Sequence, residues 1–184
     1  MIYIFDFDYT LFDTEKFREK LSRAMGISRE EFRQGEEKIL EQGKNYNLRD
    51  HLELLPEKRN LKTDTAFRNL EEFVYEGAVF LLEKLKESGE ELILLSLGDS
   101  EHQKKKIQGS GMEKYFSQII ITEKKEKANY LQPLANKKVF FINDNSRENR
   151  EVKEKYPHFQ IYEVESRYSS PGAYKLKDLL NLWT

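Results

Sequence analysis

Asp6 and Asp8 stand two residues apart in IFDFDYT. In an extended chain residues at that spacing share a face, so the two carboxylates point the same way. If both ionise they lie about 6–7 Å apart and repel by roughly 2–3 kcal/mol at an effective dielectric near 20. A hard divalent cation such as Mg2+ prefers oxygen ligands and is the natural compensation. Aspartate also starts ordinary turns where strands end. Context favours chemistry here: the apolar, β-prone run Ile2–Phe5 precedes the pair, and Thr10 and Leu11-Phe12-Asp13-Thr14 follow it.

Further oxygen- and nitrogen-bearing side chains fall at equivalent places downstream. Ser96 ends the apolar run Leu92 to Leu95, with Leu97 and Gly98 after it. Asp144 follows Val139 to Ile142 and is flanked by Asn143 and Asn145. Lys124, Lys125 and Lys127 cluster at the start of a helical stretch that continues through Leu131 and Leu134.

The elements that must position these groups change character along the chain. Residues 14–25 place Phe17, Leu21 and Met25 at helical spacing, with Asp13 or Thr14 as cap and Gly26 as stop. Ser28 and Glu31 form a capping box for a helix to about residue 42. Further helices are expected over about 47–55, closed by Pro56, and about 64–75. No strand is expected between 14 and 75. From Gly77 on, helix alternates with strand: a helix to Ser88, a strand at 92–95, a helix at 100–108 with Ser100 and Gln103 as its capping box, and a strand at 119–121. A helix at 124–135, a strand at 139–142, a helix at 146–155, a strand at 159–164 and a last helix from Lys175 complete the series. That alternation predicts an α/β fold with a doubly wound, Rossmann-like parallel sheet. In such sheets ligands sit beyond the carboxyl ends of the strands. The topology therefore brings Asp6, Asp8, Ser96 and Asp144 to one edge.

DFDYTLFDT, the serine after LILL, the lysine-bearing helix start and FFINDNSREN together resemble the four motifs of the haloacid dehalogenase-like superfamily of phosphatases and phosphotransferases. The likeness covers about residues 1–13 and 77–182, in the family's order. It implies a core domain of 1–13 and 77–184 and a small all-helical cap, 14–76, inserted between the first and second motifs. It implies Asp6 as nucleophile, forming an aspartyl-phosphate, and Asp8 as general acid and base. Thr10 fixes the loop, and Ser96 donates to a phosphoryl oxygen, with Leu97 and Gly98 beside it. Lys127 (or, second, Lys125) neutralises charge on the nucleophile and the phosphoryl group. Mg2+ is implied on Asp6, Asp8 through its backbone carbonyl, and Asp144. Glu148 binds the metal through water or pairs with the motif lysine, and Asn149 is the alternative at that place. Superfamily members that break carbon–halogen bonds lack an acid at position 8, so the resemblance points to a phosphate enzyme. The expected reaction is hydrolysis of a small phosphorylated metabolite, and phosphotransferase or phosphomutase chemistry is the alternative. His51 reads as a packed or surface residue.

Composition bounds the rest. The chain has 184 residues, room for one core and a modest insertion. Charged residues make up 35% yet sum to a net charge of −2, which recommends neither nucleic acid nor an anionic membrane as partner. There is no cysteine, which excludes disulfides and thiolate chemistry. No apolar run approaches membrane-spanning length. The sequence opens on a core strand, which leaves no room for a signal peptide, and a cytoplasmic location is expected. A receiver-like signalling domain would put its phosphorylated aspartate on a later strand and would lack the long helical insertion. A catalytically silent binding relative is disfavoured by intact Asp6, Asp8 and Asp144. No glycine-rich turn follows a strand, so a dinucleotide site is not expected.

Overall fold

The computed structural model describes residues 1–55, 63–123 and 126–182. Five strands form one parallel sheet: β1 Ile2–Phe5, β2 Glu91–Leu97, β3 Gln118–Thr122, β4 Val139–Asn143 and β5 Gln160–Glu163. Their order is β3-β2-β1-β4-β5, which puts the buried apolar run Ile2–Phe5 at the centre. Phe5 is level with Leu94 on one side and Ile142 on the other. Asp6, Ser96 and Asp144 therefore emerge within two residues of one another at the same sheet edge.

Strand alternation divides the core. Tyr3, Phe5, Leu92, Leu94, Phe140 and Ile142 face one side, and Ile2, Ile4, Ile93, Leu95, Val139 and Phe141 the other. This period of two is what a sheet covered on both faces requires. The second face is covered by α6 (Lys127–Tyr130) and α7 (Ser146–Lys155), through Ala128, Val152 and Tyr156. The first face is covered by α4 (Ala78–Glu87), α5 (Ser100–Gly109) and residues of the insertion after β1.

That insertion holds α1 (Thr14–Met25), α2 (Arg29–Glu41) and α3 (Leu48–Glu53). Asp13 caps α1, its side chain accepting from Lys16 N, and the Ser28–Glu31 capping box is formed in both directions. His51 is buried and packed, with Tyr46 Oη 3.0 Å from its Nδ1. The hydrophobic cluster of the first sheet face continues without a break through Phe12, Phe17 and Phe67 into Phe32 and Leu48, so the insertion shares its core with the sheet.

Four helix expectations change. The stretch 64–75 is two short 3-10 turns, Thr63–Phe67 and Glu71–Phe73, separated by Asn69 in the left-handed conformation at φ 52°. Docking decides this: Leu70 N donates to Gly109 O at 2.9 Å. A side chain at Gly109 would place its Cβ 2.0 Å from Phe67 O, so only glycine admits the contact. The helix expected over 124–135 is limited to α6 and a 3-10 turn, Gln132–Leu134, because Pro133 supplies no N–H to continue it. Lys124 and Lys125 lie outside the described residues. The terminal helix is 3-10 over Leu176–Leu182. Finally, α5 is capped by Asp99, which accepts from His102 N at 2.8 Å, and not by Ser100 with Gln103. Gln103 is turned to another use.

Candidate active site

Asp6 continues the sheet ladder, donating from its N to Ile142 O at 2.9 Å, and the residue is only 6% exposed. Oδ1 accepts from Phe7 N at 2.8 Å and from Lys127 Nζ at 2.9 Å. Oδ2 takes no bond among the described residues. Lys127, the first residue of α6, is 2% exposed and bridges to Glu148 Oε2, also at 2.9 Å. Of the two roles open to Glu148, the structure displays pairing with this lysine. Asn149 instead donates to Asn143 O and Glu163 Oε2.

Burial raises the Asp6 carboxyl, Lys127 opposes this, and repulsion from Glu148 and Asp144 adds to it; the outcome is a pKa pushed up to about 7. Burial pulls the Lys127 ammonium down, but Asp6 and Glu148 outweigh it and its pKa is raised. Lys127 therefore stays a cation, shared between two carboxylates.

Asp144 follows β4. Its N donates to Thr10 Oγ1 at 3.1 Å, the Thr10 hydroxyl lies 3.3 Å from Oδ1, and Ser166 Oγ donates to Oδ2 at 2.7 Å. Burial lifts its pKa to about 6 against those bonds and Lys127. Thr10 thus ties the loop after β1 to the end of β4. Ser166 lies in the loop after β5, where sequence offered no signal beyond a serine-rich stretch.

Asp8 is held differently from Asp6. Its carboxylate accepts from the Thr14 hydroxyl and from Lys106 Nζ on Oδ1, and from Gln103 Nε2 on Oδ2 at 2.6 Å. Burial raises this carboxyl too, but the Lys106 ammonium, with bonds from Lys106, Thr14 and Gln103, holds it at about 2. Gln103 Nε2 also reaches Ser96 Oγ at 2.9 Å and Leu97 O at 2.8 Å. Gly98 N donates to Thr122 O at 2.9 Å, and a Cβ at Gly98 would stand 2.8 Å from Gln103 Cγ. Gln103 and Lys106 were not anticipated. The available signal was their helical register: three apart, beside Ile107 on the buried face of α5.

The sheet order, the helical insertion directly after the first strand and the carboxylates gathered at the strand ends define a hydrolase of one superfamily. The chain belongs to the haloacid dehalogenase-like hydrolase family, whose model matches residues 3–153. Solved structures share the fold at low identity. A haloacid dehalogenase-like hydrolase from Burkholderia xenovorans LB400 is 20% identical at TM-score 0.73, covering 98% of this chain and 95% of its own. The L-2-haloacid dehalogenase of Xanthobacter autotrophicus is 18% identical at TM-score 0.67, covering 99% and 97%. The HAD-hydrolase YfnB from Bacillus subtilis, solved bound to magnesium, is 18% identical at TM-score 0.63, covering 98% and 97%. A comparison with curated proteins finds no match. Among the described residues no helix is long and apolar enough to cross a membrane.

Proposed function

We propose that the chain is a magnesium-dependent phosphohydrolase acting on a small phosphorylated metabolite through an aspartyl-phosphate. The observation that carries this reading is the split state of the two aspartates on one strand end. Asp6 is buried against Lys127, which meets its Oδ1, and its Oδ2 takes no bond among the described residues, while Asp8 is a separate carboxylate with its own partners. Asp6 Oδ2 attacks phosphorus and the bond to the leaving oxygen breaks. Asp8 passes that oxygen a proton brought in by the phosphate monoanion. Water then attacks phosphorus, Asp8 takes its proton, the Asp6–phosphorus bond breaks, and phosphate leaves. Lys127 neutralises charge on Asp6 and the phosphoryl oxygens, and Ser96 donates to one of them.

The residues fit a divalent cation. Asp6 and Glu148 share one ammonium, Lys127, and burial, with repulsion from Glu148 and Asp144, lifts Asp6. Among the described residues no three acidic or histidine side chains stand together as a complete ligand cluster, so backbone carbonyl and water would complete the shell. Asp6, Asp144 and the Asp8 carbonyl would hold Mg2+, which supplies charge neutralisation at the phosphoryl group.

The acid at position 8 favours phosphate over carbon–halogen chemistry. A cleft of about 780 Å³ is lined by Glu126, Glu148, Glu151 and Glu154 against Arg147 and Lys155, a net acidic lining that disfavours an approaching phosphate. Substrate then enters from the side of the insertion, and residues 14–76 act as the cap that excludes water. The test is hydrolysis of p-nitrophenyl phosphate with magnesium and with EDTA, beside Asp6→Asn. Metal-dependent turnover absent from the variant is expected. Equal turnover by the variant would overturn the reading.

A further inference from the structure

We propose that Gln103 and Lys106 are positioning residues for the acid–base step: they clamp the Asp8 carboxylate and lock it to Ser96. The inference rests on the phosphohydrolase reading and adds two residues to it. Both side chains leave the same face of α5, and both are 3% exposed. Lys106 Nζ takes Asp8 Oδ1, Gln103 Nε2 takes Oδ2 at 2.6 Å, and Lys106 Nζ donates to Gln103 Oε1 at 2.8 Å. The clamp is thus closed on itself. Its other end is fixed: the same Gln103 Nε2 lies 2.9 Å from Ser96 Oγ and 2.8 Å from Leu97 O.

Lys106 is also fixed from behind. Its Nζ lies 5.5, 5.6 and 5.7 Å from the ring centroids of Phe7, Phe12 and Phe17. Phe7 and Phe12 bracket the loop that carries Asp8, so loop and ammonium are placed by one cage. The absence of a side chain at Gly98 gives Gln103 its room. A buried ion pair of this kind is weak evidence of stabilisation, because desolvation offsets attraction. What it does supply is geometry. A general acid acts only within hydrogen-bond reach of the oxygen it serves, and misplacement by about an ångström is costly. The serine that holds the phosphoryl group and the carboxylate that serves its leaving oxygen are spaced here by one glutamine amide.

The test compares kcat/KM for phenyl phosphate and p-nitrophenyl phosphate, with magnesium, in wild type, Lys106→Met and Gln103→Leu. Phenolate is the poorer leaving group and depends more on a proton from Asp8. A misplaced Asp8 therefore lowers phenyl phosphate turnover by about 10²-fold and p-nitrophenyl phosphate turnover several-fold less. A merely structural role lowers both equally. Equal losses, or no loss, in the folded variants overturn the inference and leave the phosphatase reading intact. A wild type that turns over neither ester overturns the phosphatase reading, and the inference with it. Methionine suits the aromatic cage; if Lys106→Met does not fold by circular dichroism, Gln103→Leu decides alone.

Discussion

Asp6 and Asp8, two residues apart on one strand end, are paired with different buried lysines: Lys127 from α6 on Asp6 and Lys106 from α5 on Asp8. The two cations reach the site from opposite sides of β1. The result is one carboxyl pushed up to about 7 and one held at about 2.

On the proposed magnesium-dependent reading, that asymmetry predicts how the effect of Mg2+ on stability changes with pH. Burial, with repulsion among neighbouring carboxylates at Asp6, raises Asp6 and Asp144 to about 7 and about 6 in the folded state. Between about pH 4 and pH 7 the folded state then binds more protons at these groups than the unfolded state, so their ionisation lowers stability as pH rises. His51 and His102 act oppositely, since burial lowers them to about 4 and about 3 and their protonation costs stability as pH falls. The metal-free curve is therefore a near-cancellation, and the difference made by Mg2+ isolates the carboxylates. Saturating Mg2+ is expected to raise the melting temperature by about 5 °C or more at pH 8. At pH 5 little shift is expected, because binding must displace protons. Equal shifts at both pH values in scanning fluorimetry would contradict the assignment.

Lys127 and Glu148 separate charge neutralisation from support. Lys127→Met leaves Asp6 and Glu148 buried without their cation, so a loss of about 3–5 kcal/mol is expected in urea denaturation. Turnover is expected to fall by about 10²–10³-fold. Glu148→Gln keeps the Lys127–Asp6 contact, and a smaller loss, about 10-fold in turnover, is expected. Matching losses in the two variants would argue against Lys127 acting on the reacting group.

Gly109 tests the seam between insertion and core without touching the chemistry. Gly109→Ala would drive a methyl to 2.0 Å from Phe67 O, which forces the 63–67 turn off α5. A destabilisation of about 2–4 kcal/mol is expected from overpacking and backbone displacement. An unchanged urea midpoint would mean that this seam carries no strain.

The sheet was legible because β1, β2, β3 and β4 each hold a short apolar run followed by a polar residue, and β1 and β4 are buried on both faces. The meeting of Asp6, Asp8, Ser96 and Asp144 at one sheet edge was legible because parallel topology sends strand ends there. The 3-10 turns were not, because Phe67, Leu70 and Phe73 show helical spacing while their backbone is set by docking on Gly109. Gln103 and Lys106 were hidden inside a run of polar residues, SEHQKKK, where charge reads as a solvated face. The ion pair with Asp8 and the packing of Lys106 against Phe7, Phe12 and Phe17 turn that lysine inward. Ser166 was hidden because its partner is 22 residues away across β5.

The most direct measurement is the state of Asp6 during turnover. Wild-type protein is mixed with excess p-nitrophenyl phosphate and magnesium, quenched in acid within milliseconds, digested, and read by mass spectrometry. An acid-stable, hydroxylamine-labile phosphoryl group on the peptide carrying Asp6, absent from Asp6→Asn, is the predicted result. Turnover with unmodified Asp6, or with label on another residue, would contradict the aspartyl-phosphate mechanism.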